Sequence, residues 1–175
     1  RSRAWPSDVR LAASPQPRVA VPRGEDLTSL SPAYRRAFEA TVAGLAEKGI
    51  AHAEVDVSTL LDAATLLYDG AIVSQRYSAG GEFLDTAPAG ADPTVSAIVR
   101  SAATPSARRY VDDLAALAGA ETAARALLNG FDGLLLPTTT EHPSIAAVQS
   151  DPVGINRRLG TFTNFCNLLD MAAVA

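Results

Sequence analysis

The chain has 175 residues, 47% of them hydrophobic, enough apolar side chain for one packed domain or a large piece of one. Its 19 acidic and 15 basic residues leave a formal charge of −4 with no basic stripe, which argues against direct binding to nucleic acid. A single cysteine, Cys166, rules out an internal disulfide and a cysteine-rich zinc site and fits a reducing cytoplasm, while no apolar run is long enough to span a bilayer or to serve as a secretory signal.

Residues 1–17, polar and rich in Pro, read as a loop or linker, with a domain expected over 18–175. The run RVAVP from Arg18, β-branched and closed by a proline, predicts a core strand. The next segment, SLSPAYRRAFEATVAGLAEKGI, has helix signals at both ends: Ser31 as N-cap, Pro32 in the first helical position and Gly49 beyond the last turn. Its Phe38, Val42 and Leu45 recur at helical spacing and form one buried stripe, with Arg35, Glu39 and Lys48 directed elsewhere. IAHAEVDV alternates and predicts a second strand, half-buried against that helix, so strand, helix and strand make one crossover unit.

Residues 58–85 follow a helical pattern with Ser58 as cap and Gly70 placed to break or bend it. After a Pro- and Gly-containing loop, helices are predicted over 93–103 and 105–129, the second ending at Asn129-Gly130. FDGLLLP predicts a buried strand running into a Thr- and Pro-rich loop. In the last apolar stretch, TNFCNLLD, Asn164, Asn167 and Asp170 fall at successive i, i+3 positions, a polar stripe on a helix otherwise faced with Phe165, Leu168 and Leu169. Buried amides need partners, so the stripe is expected to bind neighbouring loop backbone and to act as scaffold. Together the elements predict an α/β fold, a mixed β-sheet flanked by α-helices. The start at Arg1 instead of Met and the stop at Ala175 inside an apolar run read as a domain truncated at both ends.

Few residues suggest chemistry. His52 and His142 lie in different elements with no partner motif for a metal. There is no Gly-x-Ser-x-Gly elbow, and Gly80-Gly81 reads as a turn. Lys48, the only lysine, stands in the last turn of a surface helix, where it complements the helix dipole. Cys166, in NFCNLL and flanked by Phe165 and Leu168, reads as a buried, inert thiol. The pairs Arg108-Arg109 and Asp112-Asp113, four residues apart, predict a solvated ion-paired face. In LLYDGAIVSQRY, Tyr68 and Arg76 are eight residues apart and would share a face of a continuous helix. A guanidinium fork beside a phenol is a good receptor for a small planar carboxylate. The same spacing also fits a solvated arginine next to a half-buried tyrosine.

The segments LLYDGAIVSQRY and DGLLLPTTTEHPSIAAVQSDPVGINRRLGTFTNFCNLLD together resemble the later half of the allophanate hydrolases, in the amidase-signature family. The motifs that carry the resemblance are PT after an apolar strand, DPV, N…LG and TNF.NLLD, in the family's order, and the likeness extends loosely over 18–175. It implies an amidase-signature fold, incomplete in this chain, and hydrolysis of the C–N bond of allophanate, urea-1-carboxylate, to ammonia and carbon dioxide. The family's serine nucleophile, its lysine and its second serine in a cis peptide belong to a Gly- and Ser-rich region. No such run occurs in this sequence, so the chain is expected to supply no catalytic residue of its own. Substrate binding does carry over: Tyr68 and Arg76 match the family's tyrosine and the arginine eight residues later that hold the substrate's carboxylate. The resemblance implies no cofactor, a carboxylated urea as small-molecule partner, and a homodimer through the intact domain. Other readings are another amidase-signature enzyme, such as one like the glutamyl-tRNA amidotransferase A subunit, or a non-catalytic interaction module or gene remnant.

Overall fold

In the computed structural model, which describes residues 14–175, the run Arg18–Pro22 forms the central strand β1. Of the loop expected over 1–17, only 14–17 fall within the described residues. Strands β2 (Ala51–Val55) and β3 (Gly133–Leu134) flank β1, both parallel to it, with Val19 opposite His52 on one side and Gly133 on the other. The sheet flanked by helices is the α/β class read from the sequence, and its described strands are all parallel, because each return to the sheet passes through a helical crossover. β3 is shorter than the apolar run that carries it. Leu135 N–H still donates to Ala20 C=O at 2.9 Å, but Pro137 has no N–H to extend the ladder.

The first crossover is helix α1 (Pro32–Glu47), capped as its sequence dictates: Ser31 Oγ accepts from Tyr34 N–H, Pro32 occupies the first turn, and Gly49 leaves the helix at φ +70°. Helix α2 (Ser58–Asp69) begins differently from expectation. Ser58 is its first residue and not its cap. The free N–H groups of Ser58 and Val57 donate to the carboxylates of Asp56 at 2.9 Å and Asp26 at 3.1 Å. Helices α3 (Ser74–Asp85), α4 (Pro93–Ser101) and α5 (Ala107–Leu127) follow. Gly80 and Gly81 lie inside α3, not in a turn, since the missing Cβ of the buried Gly81 lets the Tyr77 ring lie against the helix and its hydroxyl donate to Asp85.

The Thr- and Pro-rich stretch after residue 137 is a loop, as expected, and beyond it two short helices form for which no element was predicted, α6 (Ile145–Ser150) and α7 (Pro152–Leu159). Ser144 Oγ accepts from Ala147 N–H and Asp151 Oδ1 from Gly154 N–H, with Pro152 pre-set for the first turn. The final helix, α8, spans only Asn164–Leu168 and is followed by Asp170 at φ +53°. The predicted buried polar stripe therefore does not form: Asn164 is half-buried, whereas Asn167 and Asp170 are exposed. The scaffold role of this stretch falls to its aromatics. Phe162 and Phe165 are both fully buried, in different apolar clusters. Phe165 and Leu169 pack with Val57, Leu60 and Ala63 of the α2 region and Ala120 and Ala124 of α5. Phe162 packs with Leu27, Leu30 and Phe38 beside α1.

Candidate carboxylate-binding site

Helix α2 carries Tyr68 and Asp69 in its last turn and stops at Gly70, whose backbone is extended (φ −83°, ψ 160°). Glycine is required here by close approach: a Cβ would lie 2.6 Å from Leu66 C=O and 3.0 Å from Asp113 Oδ2. A 3₁₀ turn over Ala71–Val73 then leads into α3, which carries Arg76. Tyr68 and Arg76 thus lie on two helices and not on one continuous face. The chain reversal nonetheless brings them together. The Arg76 guanidinium carbon stands 5.7 Å from the Tyr68 ring centroid, within cation–π range, and its Nη2 donates to Leu67 C=O at 3.1 Å.

Helix α5 holds this break. Arg109 Nη2 donates to Asp69 C=O at 2.6 Å, and Asp113 Oδ2 accepts from Ala71 N–H at 2.5 Å. These two side chains do not form the surface pair read from their i, i+4 spacing; only Arg108 and Asp112 do, at 3.6 Å and well exposed. A helix break strands a carbonyl and an N–H, and satisfying them outweighs an exposed ion pair worth a few tenths of a kcal/mol.

A third residue joins the site without having been singled out in the sequence. Arg157, in the last turn of α7, places its guanidinium carbon 5.7 Å from the same Tyr68 ring and pairs with Asp69 Oδ1 at 2.7 Å. The available signal was the Asp-Pro start of α7 followed by two arginines in its last turn, a helix with cations at its negative end. Its neighbour Arg158 pairs instead with Glu141 Oε1 at 3.0 Å, and the buried Thr140 hydroxyl donates to Arg158 C=O. A cleft of about 210 Å³ opens between α2 and α7, lined among others by Leu61, Ala64, Asp69, Arg157, Thr161 and Asn164; its wall includes Asp69, the residue after Tyr68, but neither Tyr68 nor Arg76. A larger hollow along β3, about 500 Å³, is lined by no charged side chain.

The remaining candidates stand apart from this site. Lys48 caps the C-terminus of α1, His52 is exposed on β2, and His142 is exposed in the loop before α6. Cys166 is half-buried in α8, and burial pushes its thiol up. Among the described residues no helix is long and apolar enough to cross a membrane.

No family model matches the chain. It is 38% identical over 140 residues to urea amidolyase of Saccharomyces cerevisiae, a match covering 79% of this chain and 8% of that protein. Urea amidolyase of Lachancea kluyveri is 35% identical over 144 residues, covering 81% of this chain and again 8% of the relative. Among solved structures, selenomethionine-substituted allophanate hydrolase of Kluyveromyces lactis superposes with a TM-score of 0.83 at 31% identity, over 97% of this chain and 28% of that one. The chain is homologous to part of the allophanate hydrolases. K. lactis urea amidolyase superposes as well, with a TM-score of 0.80 and 32% identity over 89% of this chain and 9% of that one. The chain therefore spans under a tenth of the urea amidolyases and about a quarter of the allophanate hydrolase structure. Its small parallel sheet and helical layers fold as the matching part of allophanate hydrolase does.

Proposed function

We propose that this chain is the substrate-carboxylate-binding part of an amidohydrolase that cleaves the C–N bond of allophanate to ammonia and carbon dioxide, with Tyr68 and Arg76 holding the carboxylate. The observation that carries the reading is the placement of the Arg76 guanidinium over the Tyr68 ring across a helix break, with the Arg157 guanidinium over the same ring. Arg76 makes one hydrogen bond to Leu67 C=O, and a guanidinium has five N–H donors in a planar fork that matches a carboxylate. The phenol of Tyr68 adds a further donor. Allophanate is a small planar anion; docking its carboxylate on Arg76 leaves the amide free to face a nucleophile, so positioning is what this segment contributes. The serine nucleophile, its lysine and the second serine are to be supplied from outside the 175 residues. The cytoplasm as location and a homodimer belong to the same proposal, on the strength of the homology.

In a full-length enzyme carrying this segment, Arg76→Ala lowers kcat/KM for allophanate by about 10- to 100-fold, the worth of a charge-assisted hydrogen bond. An unchanged kcat/KM in that variant refutes the assignment.

A further inference from the structure

We infer that Arg157 sets the charge of the carboxylate site by cancelling Asp69, which makes it a residue that tunes how tightly the site holds an anion. The inference rests on the carboxylate-site reading above.

Asp69 follows Tyr68 directly in the chain, and at the C-terminus of α2 it adds its charge to the carbonyl end of the helix dipole. A carboxylate approaching the Tyr68 ring meets a second negative charge one residue on, that of the carboxylate held by the same Arg157 that stands over that ring. With Arg76 and Asp69 alone the site is neutral, and Arg109 and Asp113, which hold the break, add one charge of each sign. Arg157, ion-paired to Asp69 at 2.7 Å and standing over the same Tyr68 ring, leaves two guanidiniums against one carboxylate, a surplus of one positive charge that matches a singly charged ligand. The side chains of Arg157 and Asp69 are 47% and 50% exposed, so the effect is moderate and weakens in salt.

The geometry behind this is built in. Helix α7 is fixed at its start by Asp151 and Pro152 and anchored by the buried Ile155, which leaves Arg157 two residues on to face α2. Arg158, the other cation lining the cleft, is paired with Glu141 and so adds little net charge.

The test is an NMR titration of the 175-residue chain with malonamate, the hydrolytically stable isostere of allophanate in which a methylene replaces the bridging N–H. The arginine Nε–Hε signals and the fitted Kd are followed at low and high salt. Arg157→Ala weakens binding about tenfold at low salt, as expected for one charge at effective dielectric values near a protein surface, and by less at high salt. Arg157→Lys retains most of the affinity, and the double variant Arg157→Ala with Asp69→Asn regains most of it, since removing both charges restores the balance. Wild-type affinity in Arg157→Ala, alongside weakened binding in Arg76→Ala, overturns the role of Arg157 and leaves the carboxylate site standing. A double variant as weak as Arg157→Ala overturns the charge-cancelling account. Malonamate that binds neither the wild-type chain nor any variant overturns the carboxylate reading itself, and this inference with it.

Discussion

Replacing Gly70 with alanine probes the helix break that sets Tyr68 against Arg76. The backbone at Gly70 (φ −83°, ψ 160°) is open to any residue, so the new methyl brings no dihedral strain, and the lost freedom of the unfolded chain favours the variant by about 0.4–1 kcal/mol. Against this stands a steric conflict. The methyl lies 2.6 Å from Leu66 C=O, a backbone atom that accepts from Gly70 N–H at 3.1 Å in the last bond of α2. On its other side it meets Asp113 Oδ2 at 3.0 Å, the oxygen that holds Ala71 N–H. Relief by movement costs about 1–3 kcal/mol, the usual range for overpacking. The net loss is about 1–2 kcal/mol, a fall in Tm of about 2–8 °C for a chain of this size. Denaturation followed by circular dichroism measures it, with Gly44→Ala as the control: Gly44 lies inside α1, a Cβ there meets nothing within 4 Å, and the substitution stabilises by about 0.5–1 kcal/mol. If Gly70→Ala proves as stable as wild type while Gly44→Ala gains stability, the break relaxes freely and the close approach around Gly70 does not matter. Malonamate affinity falls together with Tm in Gly70→Ala, because the displaced atoms belong to the helix that carries Tyr68.

Two further outcomes follow from burial. Phe165→Ala, at a fully buried position between α2 and α5, costs about 3–5 kcal/mol in urea denaturation, and a loss under 1 kcal/mol would mean the cluster collapses around the gap. Cys166 has its thiol pushed up by burial, so the folded form is favoured below the ordinary thiol pKa and this contribution is lost as pH rises through the raised value. Its alkylation at pH 8 is accordingly slower than that of free cysteine, and an equal rate would place the sulfur in open solvent.

Much of the architecture is written in local signals. Ser31, Pro32 and Gly49 mark the ends of α1 because each satisfies a backbone requirement within a few residues of itself, and Gly70 marks the end of α2 for the same reason. The site is legible only in part. Arg109 and Asp113 match the i, i+4 pairing rule, but the backbone groups they bind at Asp69 and Ala71 are 40 and 42 residues away in sequence. Arg157 comes from still further along the chain, so no local spacing relates it to Tyr68. The polar stripe at the end failed because helical periodicity was extended across Leu168, whereas the chain leaves the helix there and reaches a left-handed backbone at Asp170.

Phe162 and Phe165 are three residues apart, yet each completes a different apolar cluster. During synthesis the α1 region and the α2–α5 pair emerge well before either ring exists, so both clusters wait, each with a hole, on the same late stretch of chain. The two halves of the interior are thereby closed at one moment, and a ribosome that stops just short of Thr161 leaves a product with both cores unfinished.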